Sequence, residues 1–212
     1  VIPMEKVPED LRWNAVTLWA GPAWHFVHYP IGGGKHLNLA ATRDDGATVA
    51  VAGEPVERTR VLSDFPGLGN TTRRLLELGE SWRTWVLCDR DPVGNWTDSR
   101  VALLGDAAHP MLQYAAQGAC MALEDAVVLG ELLDHDAIAP SLQKYATERY
   151  DRTAKAQLVA REMGTRLYHP AGDEAKARNT MLSAFSEADL HDKVDWLHGF
   201  PPSGGLTSGA VR

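Results

Sequence analysis

The chain has 212 residues, 44% hydrophobic and 23% charged, with 28 acidic against 21 basic side chains and a net charge of −7. That is a globular composition, long enough for one or two domains, and with no basic run longer than a pair it excludes nucleic-acid and anionic-membrane binders. No apolar stretch approaches the roughly twenty residues of a membrane-spanning helix. Two isolated cysteines, Cys88 and Cys120, cannot build a disulfide framework or a four-ligand zinc site, which points to a cytoplasmic setting.

Val1-Ile2-Pro3 shows no initiator Met and no charged leader, and reads as the end of a strand already under way, as in a cut chain. Three strands follow. Arg12 to Ala20 sets Trp13, Ala15, Thr17 and Trp19 on one side; Trp24 to Tyr29 follows Gly21-Pro22; Lys35 to Thr42 follows Gly32-Gly33-Gly34. Alternation of β-branched and aromatic residues around a glycine loop predicts an antiparallel meander. Over 54 to 79 the period changes, and Val56, Val61, Leu62 and Phe65, then Leu75, Leu76 and Leu78, predict two short helices broken at Pro66-Gly67. Trp82 to Cys88 reads as a further strand. The pattern is α+β.

Val101-Ala102-Leu103-Leu104 is an apolar run of buried-strand type, stopped by Gly105-Asp106-Ala107-Ala108-His109-Pro110. A helix then opens at Gly118, with positions 119, 122, 123, 126, 127 and 130 on one face. Ser141 to Met163 predicts a long amphipathic helix whose charges, such as Glu148 with Arg152, form a solvated face. Two shorter helices are expected near 172–185 and 187–198, and the Pro- and Gly-rich residues 201–212 read as a flexible tail.

A strand, Gly-Asp, and then a Gly-opened helix is how a backbone approaches a cofactor closely. Gly105 removes a Cβ, Asp106 offers an acceptor, and the helix start directs unpaired N–H groups and a positive dipole end at what precedes it. An ordinary crossover turn held by an Asp has the same spacing. His25-x-x-His28 is a weak metal signal, because on a strand the two rings point to opposite faces, and no metal is expected.

The run Val101 to Pro110, with Ala116-Gln117-Gly118-Ala119-Cys120-Met121-Ala122-Leu123-Glu124-Asp125-Ala126, resembles the second flavin-binding motif of single-component aromatic-ring monooxygenases. These include the para-hydroxybenzoate and salicylate hydroxylases. Asp89-Arg90-Asp91-Pro92 fits the family's Asp-Arg-x-Pro stretch. Trp24 to Ile31, Arg161 to Gly164, Leu167-Tyr168-His169 and Val194 to Phe200 are most similar to its 3-hydroxybenzoate 6-hydroxylase branch.

The family's Gly-x-Gly-x-x-Gly unit for the ADP part of FAD is not found, so the resemblance implies a C-terminal half lacking the N-terminal Rossmann half. It implies a substrate-domain sheet with helices over 1–98, part of the FAD-binding α/β domain over 99–135, C-terminal helices over 136–200 and a tail over 201–212.

The resemblance further implies FAD as cofactor with NADH or NADPH as reductant. Asp106 would bond the ribityl chain or phosphate linkage beside Gly105. The N–H groups of Gly118, Ala119 and Cys120 would meet the N1/O2 edge of the isoalloxazine, with Met121 behind them and Pro110 against the ring. O2 would add to the reduced flavin, and the C4a-hydroperoxide would hydroxylate a phenolic aromatic acid such as 3-hydroxybenzoate or salicylate. Deprotonating the phenol activates its ring, so a base or acceptor is expected. His25 and Tyr29 share a strand face and, with Gln117, are the candidates; each also has a plain reading, as a core His, a packing Tyr and a helix-entry residue. His109 is expected to brace the turn rather than transfer protons.

The competing expectation is a non-catalytic fragment, or a subunit that needs a separate FAD-binding half; a homodimer is a further possibility. Alone, the 101–104 strand and one face of the 118–130 helix would be exposed.

Overall fold

The computed structural model describes residues 1–133 and 137–198, so the expected 201–212 tail lies outside the described residues. The chain divides into two compact units, Val1–Leu87 with Glu162–Arg178, and Cys88–Arg161 with the residues from Asn179 onward.

In the first unit, β1 (Ile2–Pro3), β2 (Thr17–Gly21), β3 (Trp24–Ile31) and β4 (His36–Arg43) form an antiparallel sheet in the order β1-β4-β3-β2. The turn from β3 to β4 uses Gly32, Gly33 and Gly34 at φ +60°, +66° and +83°, values that cost a glycine little. Register pairs Phe26 with Ala41 and His28 with Leu39, so Trp19, Trp24, Phe26, His28, Leu37 and Leu39 share one face. Against that face pack α1 (Arg58–Asp64) and α2 (Asn70–Glu77) through Val61, Phe65, Leu75 and Leu76. Phe26, Leu75 and Leu76 are fully buried, each worth about 1.5–3 kcal/mol of transfer free energy.

Two boundaries differ from the sequence reading. The strand expected over Arg12 to Ala20 begins only at Thr17, because Arg12 donates from Nε to the Val7 carbonyl (2.6 Å) and buried Leu11 closes a 3₁₀ turn. Residues 54–56 are not helical. They belong to β5 (Ala52–Val56), which pairs with β6 (Trp82–Trp85) past a bulge at Gly53, and Pro55 is tolerated on that two-stranded ribbon.

The second unit opens with the hairpin β7 (Thr97–Asp98) and β8 (Val101–Ala102), and continues into α3 (Gly118–Leu133) and α4 (Ile138–Met163). Its core gathers Trp96, Ala108, Val128, Tyr145 and Ala146. Trp96 lies 5.5 Å from His109, 5.9 Å from Tyr145 and 6.3 Å from Tyr150 between ring centroids. The π-helical turn Gly164–Tyr168 and the first half of α5 (Gly172–Ala184) fall in the first unit, and the rest of α5 with α6 (Glu187–His198) in the second.

The apolar run Val101 to Leu104 has a buried strand's composition but, as expected for this chain alone, is exposed: only Val101 and Ala102 pair, and Val101, Leu103 and Leu104 are open. Helix α3 buries Met121, Asp125 and Val128, leaving Leu123 and Val127 exposed, because ion pairing to α4 fixes its rotation. Arg152 does not pair with Glu148. It turns inward to Glu124, with 2.7 Å contacts to both carboxylate oxygens, while Glu148 faces Lys144 at 3.9 Å.

Candidate active site

The second unit carries one set of candidates, built from the turn after β8. Gly105 has φ +59°, and a Cβ there would stand 3.2 Å from that of Ala122, so both backbone shape and space call for glycine. Its N–H donates to Asp125 Oδ2 (3.1 Å), and its carbonyl accepts from the N–H groups of Ala108 and His109 (2.9 Å each).

Asp125 is fully buried on α3. It meets His109 Nε2 at 2.6 Å through Oδ2 and accepts from Arg149 Nε at 2.7 Å through Oδ1. Burial opposes its charge, but hydrogen bonds from His109, Arg149 and Gly105 prevail and hold its carboxyl below the ordinary range. Arg149 also pairs with Glu124 at 2.7 Å, and Arg152 extends the chain of charges to the carbonyls of Trp196 and Leu197. His109 thus braces the turn.

A second set of bonds fixes the approach to this turn. Arg90 donates to the carbonyls of Ala107 and Ala108, Arg161 pairs with Asp89 and Asp91 (2.8 Å each), and Gln157 donates to the Pro110 carbonyl (2.9 Å). The chain then reaches α3 through Ala116, in the left-handed region at φ +52°, and buried Gln117, whose carbonyl accepts from Met121 N–H.

At the start of α3 the N–H groups of Gly118, Ala119 and Cys120 lack intrahelical partners, as helix geometry requires. Asp106 is exposed, and its carboxylate bonds to no described residue. A Cβ on Gly118 would lie 3.7 Å from Asp106 Oδ1 and 3.9 Å from Met111 Cγ, so it would fill the space between the carboxylate and the helix end. A flavin fits these residues: glycines where a flat ring must come close, amide donors for its electron-rich edge, and a free acceptor for a ribityl hydroxyl. Ala119 and Cys120 are exposed, whereas Met121 is buried and its carbonyl accepts from Arg149.

The first unit carries the other candidates. On β3, His25 and Tyr29 share the sheet face opposite Phe26 and His28. Tyr29 is half-buried. His25 is 2% exposed; its Nδ1 lies 2.9 Å from His169 Nε2, and its ring stands 5.0 Å from that of Tyr168 between centroids. Burial, then repulsion from His169, lowers the His25 pKa to about 4. Burial also lowers that of His169, against a partial rise from Asp44. The His169 backbone is anchored as well: its carbonyl accepts from Ala23 N–H, whose own carbonyl accepts from Asp44 N–H. His28 is enclosed by Trp13, Trp19 and Phe26, with Nε2 buried and unbonded among the described residues. Among the described residues no group of three or more His, Cys, Asp or Glu could hold a metal ion.

Sequence reasoning missed Asp125, Arg149 and His169 as parts of these arrangements. Arg149 left a signal: it falls in the 142, 145, 146, 149, 153, 156, 160 stripe of α4, where a buried cation demands an acid. For His169 the chain offered no spacing signal, since its partner lies 144 positions away.

The family model described as an FAD binding domain matches residues 77–161. The chain is 46% identical to 3-hydroxybenzoate 6-hydroxylase 1 of Aquipseudomonas alcaligenes and 43% to 3-hydroxybenzoate 6-hydroxylase of Klebsiella oxytoca, in each case over 94% of this chain and 51% of the relative. A salicylate hydroxylase in substrate complex superposes with a TM-score of 0.74 at 30% identity, covering 93% of this chain and 49% of that one. The chain spans about half the length of the relatives it matches. Over nearly all of its own length, then, the chain is similar to 3-hydroxybenzoate 6-hydroxylases and to a salicylate hydroxylase, and over 77–161 to an FAD binding domain.

Proposed function

We propose that this chain is the C-terminal part of a flavin-dependent monooxygenase that hydroxylates a phenolic aromatic acid such as 3-hydroxybenzoate or salicylate. The observation that carries the reading is the pairing of exposed, unbonded Asp106 with the open helix start at Gly118, within a chain so similar to 3-hydroxybenzoate 6-hydroxylases. FAD, reduced by NADH or NADPH, supplies the means of activating O2. Asp106 accepts from a ribityl hydroxyl, the amides of Gly118, Ala119 and Cys120 stabilise negative charge on the ring edge, and Pro110 limits the ring's position. His25 takes the substrate's phenolic proton, Tyr29 orients that hydroxyl, and Gln117 bonds the substrate or product.

The reading includes a second stretch of polypeptide, carrying the ADP site, that covers Val101, Leu103, Leu104, Leu123 and Val127; their exposure supports it. A cytoplasmic setting suits two cysteines that form no disulfide with each other. No helix among the described residues is long and apolar enough to cross a membrane.

The test is NADH oxidation by the flavin-loaded protein with and without 3-hydroxybenzoate, with chromatography for a dihydroxybenzoate. Substrate-stimulated oxidation with product is expected. Bound flavin with neither stimulation nor product for 3-hydroxybenzoate and salicylate would overturn the reading.

A further inference from the structure

His25 is held by a residue outside the proposed catalytic set. His169 follows the π-helical turn Gly164–Tyr168, and its Nε2 lies 2.9 Å from His25 Nδ1, with ring planes 25° apart. Two imidazole nitrogens at that distance share one proton, and the shared proton decides which nitrogen of His25 keeps its lone pair. Among the described residues, Tyr168 and His169 are titratable groups that face His25, with Asp44 acting on His169; the strand neighbours opposite His25, Ala20 and Thr42, do not titrate.

We infer that His169 is the positioning residue of this site: it accepts the Nδ1 proton of His25, so that Nε2 of His25 is the base that meets the phenol, and it passes the proton onward. The inference rests on the reading of His25 given above. The step balances as three transfers. The phenol O–H bond breaks and its proton joins His25 Nε2; the His25 Nδ1–H proton joins His169 Nε2; His169 then releases a proton from Nδ1 to water or buffer. No electrons change hands. His169 suits the last transfer because it is half-buried, whereas His25 is enclosed, and the Asp44 carboxylate favours its transient charge. A buried His25 left with an added proton and no outlet would stall the reaction at an unpaired charge.

Long-range proton–nitrogen spectra of the ¹⁵N-histidine-labelled chain read the tautomer with no flavin present. His25 is expected to carry its proton on Nδ1 at pH 7, against the usual preference of free imidazole. His169→Gln supplies an amide oxygen near the former Nε2 and should keep that tautomer, whereas His169→Leu should lose it. Proton on Nε2 of His25 in the unaltered chain, or an unchanged tautomer in His169→Leu, would overturn the inference. If His169→Leu fails to fold, the unaltered chain decides alone.

In the flavin-loaded protein, His169→Gln should lower substrate-stimulated kcat about tenfold at pH 7, with KM within about twofold and recovery at higher pH. An unchanged kcat and pH profile would overturn the relay while leaving the role of His25 intact. Full activity in His25→Asn would remove that role, and the inference with it.

Discussion

His25, His28 and His169 all have pKa values lowered by burial, and this makes stability depend on acid. Each is neutral in the fold and binds a proton more readily when unfolded, so stability is full above about pH 6.5 and falls as pH drops through the interval toward the folded values. For His25, with its folded value near 4, the loss is at most about 3 kcal/mol once pH reaches that value. Urea midpoints measured from pH 7 to pH 4.5 should decline, and His25→Asn should flatten the decline. A flat profile in the unaltered chain would contradict the burial argument.

Gly118 separates fold from site at the same scale. A methyl group there meets Asp106 and Met111 only at ordinary contact distance, and a helix gains from Ala. Gly118→Ala should therefore fold with unchanged or slightly raised stability yet bind FAD at least about tenfold more weakly, as read by flavin fluorescence titration. Gly105→Ala should behave differently, losing about 1–2 kcal/mol in denaturant titration from its left-handed backbone and the 3.2 Å approach to Ala122.

Among the elements, α3 and α4 are joined by charge as much as by apolar contact. Asp125 and Arg149 are 0% and 2% exposed, so removing one strands the other. Arg149→Met should cost roughly 3–5 kcal/mol by chemical denaturation, and it should also loosen the Gly105 turn that Asp125 holds. A cost below about 1 kcal/mol would mean that water already reaches the carboxylate.

This joint also explains what was legible in the sequence. Period-two alternation and the triple glycine announced β3 and β4, and the bounds of α5 and α6 were readable to within a residue or two. What orients α3 was not. Its apolar face at 119, 122, 123, 126, 127 and 130 and the exposure of that face in this chain were readable, but not the pairing of Glu124 and Asp125 to arginines on a later helix that turns it outward. Arg12 to Val16 alternates like a strand, yet the Arg12 N–H closes a 3₁₀ turn on the Glu9 carbonyl and its side chain bonds the Val7 carbonyl. Local pattern cannot register a partner dozens of residues away. For the same reason the glycine turn at 105 and the helix start at Gly118 were readable, while the contact of His25 with His169 was not.

At the scale of the whole molecule, exposed apolar residues of the second unit set its behaviour in solution. Val101 is 65% exposed and Leu123 69%, with Leu103, Leu104 and Val127 also open. Such residues favour self-association unless another chain segment covers them. Light scattering of the purified 212-residue chain should show concentration-dependent association, reduced by Leu123→Glu. A strictly monomeric profile up to about 100 μM would contradict the idea that these residues need a cover.

The central claim is that the turn at Gly105 and the start of α3 receive the flavin. Hydrogen exchange of backbone amides, followed by mass spectrometry with and without saturating FAD, tests it most directly, because it needs neither turnover nor tight binding. Slowed exchange concentrated in peptides covering 105–110 and 118–121 is the expected result. FAD-dependent protection elsewhere, with those peptides unchanged, would contradict the account.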